Sequence, residues 1–229
     1  MPFLSPQTDL YKEALLRLFY PAECSLCHML LEISQRHLCP SCTDSLAALE
    51  LPFQNRLLEE SHPFLTQIWS LFPYEAQVKE LITAIKFHHK RALIQTLKPS
   101  FQEFGRFVTS GNLYDAITPI PMDPWKILER QFHFTEILGR LIAEVSQIPI
   151  KNLLRKSFGI TPQSRLKREE RLTNLHAAFH LRRQDEIKGL RILLIDDIIT
   201  TGSTASEAAR MLKKAGAKSV DLLTLAKTL

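Results

Sequence analysis

Two neighbouring acids, Asp196 and Asp197, come directly after the aliphatic run 192–195. Four consecutive aliphatic residues predict a parallel strand that is buried on both faces. Ligands of an open α/β sheet bind at the carboxyl ends of its strands, which is where these two carboxylates are expected. There they could accept hydrogen bonds from two hydroxyls of a ribose and lie near a Mg²⁺ ion that those hydroxyls bind.

The segment after the acids has the residue types of a phosphate-binding loop. Backbone amides and the dipole at a helix N-terminus together favour an anion, so a monophosphate is the expected ligand. The loop has neither the lysine of a Walker loop nor the glycine spacing of a dinucleotide-binding loop. In an alternative interpretation, the acids only cap the next helix. The predicted phosphate ligands are Thr200, Thr201, Gly202, Ser203 and Thr204.

All four cysteines of the chain form two C-x-x-C pairs, Cys24 with Cys27 and Cys39 with Cys42. Two such pairs can place four thiolates around one Zn²⁺ ion, and a closed shell of four sulfurs is typical of a structural site. The alternatives are unpaired reduced cysteines or a redox motif, which needs only one pair. Two histidines, His28 and His37, flank the pairs and could replace a thiolate as a ligand. Because four cysteines are available, we expect that neither histidine binds the ion.

The chain has 229 residues, of which 45% are hydrophobic and 23% charged, and its net charge is +5. These values are typical of a globular protein, and the mild positive charge permits a phosphate-bearing partner without requiring one. The N-terminal stretch lacks the unbroken apolar segment of a secretory signal. No apolar run approaches the roughly 20 residues of a membrane span. We therefore expect a cytoplasmic protein without a membrane span.

Strand patterns alternate with helix patterns along most of the chain, which predicts an α/β fold with a mostly parallel sheet. A small N-terminal module is expected at residues 1–62, with a helix before the first cysteine pair, and the main domain at 63–229. Strands are predicted near 68–72, 116–121, 192–195 and 219–225, and helices near 78–85, 92–108, 134–145 and 205–214.

The strand, acid pair and hydroxyl-rich loop resemble the loop of type I phosphoribosyltransferases that binds phosphoribosyl diphosphate (PRPP). Together with the paired cysteines, other segments make the chain resemble the ComF family of bacterial competence proteins along nearly its whole length. These segments are Lys86, Ile120-Pro121, Thr161-Pro162-Gln163, Arg171-x-x-Asn174 and Ala178-Phe179.

The resemblance implies a type I phosphoribosyltransferase fold, PRPP bound with Mg²⁺, and a role in the uptake of transforming single-stranded DNA beside a helicase partner. If the protein is an enzyme, Arg130 or Lys86 could neutralise the leaving pyrophosphate. The alternatives are an active phosphoribosyltransferase and a regulator that senses PRPP. Purine salvage enzymes of this fold have an acid where this chain has Thr200, so no general base is evident and the catalytic residues stay unassigned.

One segment, 130–134, departs from the family pattern. Family members typically carry Arg-Gly-Phe-Asn-Gln where this chain has Arg-Gln-Phe-His-Phe, so Arg130 and Phe132 match and the other three residues differ. By analogy, this segment belongs to a flexible loop that covers pyrophosphate. The departure therefore leaves loop closure and turnover open.

A basic stretch from Lys151 to Arg171 could follow the backbone of single-stranded DNA, with Phe158 available for stacking on a base. The alternative is an ordinary solvated surface. The basic residues of the stretch are Lys151, Arg155, Lys156, Arg165, Lys167, Arg168 and Arg171.

Overall fold

The computed structural model describes residues 16–17, 19–50, 62–87, 90–111, 113–130, 132–156 and 179–228. The chain forms two compact units. The first unit consists of Met1–Glu50 and Glu75–Leu97, and the second of Leu51–Tyr74 and Lys98–Leu229. The boundary at residues 62 and 63 stays a prediction, and most of the helix predicted before the first cysteine pair lies outside the described residues.

Among its described residues, the first unit contains the cysteine pairs and the helices α1 (Pro40–Ala48) and α2 (Ala76–Phe87). Helix α1 begins inside the second C-x-x-C pair, with Cys39 at its N-cap and Pro40 at its first position. Proline suits this position because its fixed φ matches a helix and its missing N–H would have no partner there. Helix α2 confirms the predicted helix near 78–85. The residues of α2 that are buried include Val78, Leu81, Ile82 and Ile85.

The second unit is built on a parallel sheet of four strands in the order β1-β6-β5-β2, beside a separate antiparallel pair, β3 and β4. The parallel sheet confirms the predicted fold class. The strands are β1 (Ile68–Pro73), β2 (Ala116–Pro119), β3 (Leu154–Lys156), β4 (Phe179–Leu181), β5 (Arg191–Ile199) and β6 (Ser219–Lys227).

Strand β5 lies between β2 and β6, which explains its sequence. All four residues of the run 192–195 are 0% exposed, as expected for a strand that is covered on both faces. The last pair with β2 joins Pro119 to Ile195, whereas pairing with β6 continues to Ile199 and Lys227. Strand β5 therefore extends beyond β2, and Asp196 is its first residue past that neighbour.

The helices follow the strands as the sequence pattern predicts, except that one was not predicted. Helix α4 begins at Pro124 and has only seven residues. The longer helices agree with the predictions to within a few residues at their ends. They are α3 (Ile94–Ser110), α5 (Phe134–Ser146) and α6 (Ser203–Lys214). Among the described residues, no helix has the length and apolar character that crossing a membrane requires.

The amino ends of β2 and β5 are joined by an ion pair between Asp115 and Arg191. The Arg191 guanidinium donates from Nε to Asp115 Oδ2 at 3.1 Å and from Nη2 to Oδ1 at 3.0 Å, and its backbone amide donates to Oδ2 at 2.8 Å. These hydrogen bonds lower the pKa of Asp115 to about 2. The ion pair lies at the end of the sheet opposite to the acid pair.

Candidate functional site

The acid pair lies at the carboxyl end of β5, as predicted. Both Asp196 and Asp197 are half-buried, and the backbone amide of Asp197 donates to Asp196 Oδ1 at 2.8 Å. On β6, Thr224 is the register partner of Asp196. Partial exposure at the edge of a sheet leaves both carboxylates accessible to a ligand while the strand fixes their backbone.

The hydroxyl-rich loop joins β5 to α6 within a few residues. Gly202 is the N-cap of α6 and has a φ of +69°, a left-handed conformation that favours glycine. The hydroxyls of Thr201 and Ser203 lie 2.9 Å apart, and Thr200 and Thr201 are exposed. The first amides of a helix have no acceptor within the helix, so the N-terminus of this 12-residue helix can bind an anion.

Seven of the nine residues predicted to bind PRPP therefore lie in one strand, loop and helix start. The other two are elsewhere in the chain. Arg130 is the last residue of α4 in the second unit, and Lys86 is in the last turn of α2 in the first unit. Their contribution to neutralising pyrophosphate stays a prediction.

The described residues of the segment 130–134 connect two helices, because Arg130 is the last residue of α4 and Phe134 is the first residue of α5. Phe132 is 8% exposed and Phe134 is 0% exposed, and their rings meet edge to face with centroids 6.2 Å apart. Burial anchors these two aromatic rings to the core. That the segment covers pyrophosphate stays a prediction.

His133 explains how α5 begins despite the departure from the family pattern. Its ring lies at the N-cap, where Nδ1 accepts a hydrogen bond from the Glu136 amide at 3.2 Å. Asparagine is among the strongest N-cap residues, so the histidine supplies an acceptor where the family pattern has asparagine. Burial lowers the pKa of His133, which keeps the ring neutral and able to accept.

A cavity of about 530 Å³ lies in the second unit beside the end of β2. Four cationic or titratable side chains line it: Arg155 and Lys156 of β3, His180 of β4, and Arg182, which directly follows β4. Lys156 is half-buried, and the other three are exposed. Burial lowers the pKa of Lys156, and the nearby charge of Asp196 opposes that shift. The cavity lies near the acid pair, because Pro119 lines it and is the register partner of Ile195, the residue before Asp196. The other lining residues are Pro119, Pro121, Met122, Pro124, Ile127, His133, Glu136, Asn152 and Leu154.

The predicted basic stretch is described only in part. Lys151, Arg155 and Lys156 belong to the described residues, and two of them line the cavity. The other residues of the stretch and most of the remaining family motifs lie outside the described residues. These are Phe158, Thr161-Pro162-Gln163, Arg165, Lys167, Arg168, Arg171-x-x-Asn174 and Ala178.

One residue beside the loop, His62, was missed in the sequence. It precedes β1, is 9% exposed, and its Nδ1 lies 3.1 Å from the hydroxyl of Ser206 in α6. The two residues are 144 positions apart in the chain. A single histidine in a segment without periodicity gives no signal from which such a contact could be predicted.

The four cysteines of the first unit form a group that could hold a metal ion. Their Sγ atoms all lie within 4.8 Å of one another. The Cys24 amide donates a hydrogen bond to the Met29 carbonyl at 2.8 Å, and the His28 amide donates one to the Cys24 carbonyl at 2.9 Å. The first cysteine pair therefore lies on a hydrogen-bonded turn. Four sulfurs at this separation fit a tetrahedral zinc ion with no open coordination position.

The surroundings of the sulfurs affect their thiols differently. Burial alone would raise the pKa of Cys24, but hydrogen bonds from the backbone of Cys27, Cys39 and Leu26 lower it to about 6, whereas burial and the neighbouring sulfurs raise the pKa of Cys42. Zinc binds the thiolate rather than the thiol. Within the described residues, the four cysteines are the only group of three or more potential ligands, and neither His28 nor His37 belongs to it.

Comparison with known proteins gives similarity at two levels. Residues 137–228 match the phosphoribosyl transferase domain. The chain is 28% identical to the competence protein ComFC of Bacillus subtilis, over 88% of this chain and 82% of that protein. It is 25% identical to competence protein F of Haemophilus influenzae, over 91% of this chain and 98% of that protein. It is 28% identical to the DNA utilization protein YhgH of Salmonella typhimurium, over 91% of this chain and 98% of that protein.

Among solved structures, adenine phosphoribosyltransferases are similar to part of the chain. One from Thermoanaerobacter pseudethanolicus has a TM-score of 0.40 and 15% identity over 67% of this chain and 87% of that chain. The similarity to the relatives extends over about nine tenths of this chain. The chain resembles the ComF family of competence proteins over most of its length, and its second unit has the type I phosphoribosyltransferase fold.

Proposed function

We propose that this protein binds PRPP with Mg²⁺ at the carboxyl end of β5 and acts in the uptake of transforming single-stranded DNA. The observation that carries the PRPP part is the continuous unit of two carboxylates, a left-handed glycine and a helix N-terminus between Asp196 and Ser203. The names of the relatives, competence proteins and DNA utilization proteins, support a competence-related role.

The chemistry of the unit matches the two ends of a ribose 5-phosphate group. Asp196 and Asp197 are acceptors for the ribose hydroxyls, and the turn 201–204 has the donors that a 5′-phosphate requires. Charged acceptors form hydrogen bonds about twice as strong as neutral ones, so the two carboxylates are suited to bind the hydroxyls of a ribose. Mg²⁺ would neutralise part of the diphosphate charge, held near the same two carboxylates through the ribose hydroxyls.

The cavity supports a ligand with further negative charge on the same side of the sheet. Arg155, Lys156 and Arg182 line it, and Lys156 interacts with Asp196. A diphosphate attached to the ribose would lie among these cations, and Arg130 and Lys86 are the further candidates from the family resemblance. In a concave site that excludes part of the water, such cations act more strongly than on a flat surface.

Calorimetric titration with PRPP in the presence of Mg²⁺ tests the proposal. We expect saturable binding of one PRPP per chain, and weaker binding of ribose 5-phosphate, which lacks the diphosphate. A pyrophosphate release assay with nucleobases, ammonia and oligonucleotides then separates an enzyme from a binding protein. Absence of saturable heat with PRPP at millimolar concentration would contradict the proposed ligand.

The DNA part of the proposal is supported by exposed residues beside the cavity. Arg155 on β3 and Arg182 directly after β4 are exposed, and on α4 the Trp125 side chain is 66% exposed. Binding of single strands without sequence preference combines cations for the phosphates with aromatic rings on which bases stack. In the uptake process, the proposed partner is a competence helicase that delivers the strand.

Single-stranded DNA should bind more weakly when Arg155 and Arg182 are both changed to Ala. Each lost phosphate contact flattens the slope of log affinity against log salt by about 0.7 for single strands, so the double variant should flatten it by about 1.4. Trp125→Ala should weaken binding about tenfold or more without changing the slope, because a stacked base contributes about 1–3 kcal/mol. Fluorescence anisotropy with a labelled oligonucleotide at several salt concentrations measures both effects.

A matched control removes the same two charges elsewhere. Arg183 pairs with Glu186 at 3.4 Å, and Lys214 is exposed at the carboxyl end of α6; neither lines the cavity. Changing both to Ala should leave the slope as it is in the unchanged protein. Equal slopes for the two double variants would show that the DNA surface lies elsewhere.

A further inference from the structure

The ring of His62 fills the space beside Gly202 of the phosphate-binding loop. A Cβ atom added to Gly202 would lie 2.6 Å from His62 Nε2 and 3.1 Å from Nδ1, closer than a side chain can approach without displacing its neighbour. The same ring is 9% exposed and contacts the Ser206 hydroxyl through Nδ1 at 3.1 Å. One side chain therefore contacts both the N-cap and the first turn of α6.

These contacts enclose the segment that binds the phosphate. The Ser206 amide donates to the Gly202 carbonyl at 2.8 Å, which closes the first turn of α6 over residues 203–205. His62 contacts the residues at both ends of that turn. It belongs to a part of the chain that precedes β1, and Leu65 donates its backbone amide to the His62 carbonyl at 3.0 Å, which fixes the backbone from which the ring projects.

We propose that His62 is a positioning residue that holds the turn 201–204 in the conformation that binds the 5′-phosphate of PRPP. The inference rests on the proposed function of that turn. A turn that already has its bound conformation loses less conformational entropy when the ligand binds. His62 thus increases PRPP affinity through Gly202 and Ser206, without contacting the ligand.

The ring acts by shape and by one hydrogen bond. Burial lowers the pKa of His62, so the imidazole is neutral at pH 7 and above. The contribution of His62 to PRPP affinity should therefore be the same at pH 7 and pH 8. An ion pair between an imidazolium and the phosphate would instead weaken over that interval.

His62→Ala should lower PRPP affinity about tenfold at pH 7.5, because the freed turn must be ordered by the ligand. His62→Asn, which keeps a polar atom near the position of Nδ1, should recover part of that loss. Ser206→Ala alone should weaken PRPP binding. Added to His62→Ala, it should have little further effect on PRPP affinity, since the two side chains act through one contact. Calorimetry with PRPP and Mg²⁺ measures the affinity of the unchanged protein and of these four variants.

A control variant separates positioning from a general loss of stability. The Tyr114 hydroxyl donates to Asp221 Oδ2 at 2.6 Å in the buried core of the same unit, and Asp221 is near the amino end of β6. Tyr114→Phe should lower the melting temperature at least as much as His62→Ala while leaving PRPP affinity unchanged. Equal losses of affinity in Tyr114→Phe and His62→Ala at equal melting temperatures would overturn the positioning role.

The outcomes distinguish this inference from the proposed function. PRPP binding that is the same in the unchanged protein, His62→Ala and Ser206→Ala would overturn the inference and leave the function intact. Absence of PRPP binding in the unchanged protein would instead contradict the function. Hydrogen exchange of the Ser206 amide, which donates to the Gly202 carbonyl, then decides the inference alone: faster exchange in His62→Ala supports a positioned turn, and unchanged exchange overturns it.

Discussion

Removal of zinc from the four-cysteine group is expected to unfold the backbone around Cys24 and Cys39. Only a few apolar side chains are buried in this part of the first unit, among them Leu26, Leu31 and Leu38, which is too little to form a core. A structural zinc ion contributes on the order of 10 kcal/mol of folding free energy to such modules. Chelation, or Cys24→Ser with Cys39→Ser, should therefore abolish amide protection across residues 22–49.

Elemental analysis and hydrogen exchange check this expectation together. The unchanged protein should contain one zinc ion per chain, and the double serine variant none. His28→Ala and His37→Ala provide the matched controls, because both histidines flank the pairs but lie outside the group of ligands; each should keep one zinc ion. Full amide protection of residues 22–49 in metal-free protein would contradict a structural role for the ion.

Replacement of both acids, Asp196→Asn with Asp197→Asn, should lower PRPP affinity by at least about a hundredfold. Each charged hydrogen bond to a ribose hydroxyl contributes about 1.5–3 kcal/mol, and the amides retain the shape of the side chains while removing the charge. The melting temperature should change little, because both side chains are half-buried at the end of β5. Calorimetry and thermal unfolding measure the two effects.

Asp115→Asn is the matched control for the acid pair. It makes the same chemical change at the opposite end of β5, where Asp115 pairs with Arg191 at 3.0 Å. Loss of that ion pair should lower stability but leave PRPP affinity unchanged. If the acid-pair variant binds PRPP as tightly as the unchanged protein, the ribose hydroxyls are recognised elsewhere.

The sequence predicts those parts of the site whose residues are neighbours in the chain. The aliphatic run 192–195, the acid pair and the loop to α6 can be recognised because burial on both faces, charge and helix capping each leave a mark on adjacent positions. The two cysteine pairs are recognisable for the same reason. In each case the residues that the structure brings together lie within one short segment, so their types and spacing can be recognised in the sequence.

The parts that were not predicted depend on contacts between distant segments. His62 reaches Ser206 across 144 positions. Strands β3 and β4 have three residues each and are separated by residues 157–178, so neither shows a periodicity that distinguishes a strand from a loop. The cavity combines β2, α4, α5 and this strand pair. Contacts of this kind between distant segments decide which side chains lie together, and they cannot be predicted from the residue pattern of one segment.

The position of Cys39 at the N-cap of α1 would make metal binding and helix formation a single cooperative step. Helix α1 has only nine residues, and an isolated helix of that length is marginal in water because its first turn is costly to nucleate. If one ion holds Cys39 and Cys42, the backbone of that first turn is fixed before the rest of the helix adds to it. Zinc affinity and helix nucleation in the first unit would then be two measures of the same equilibrium.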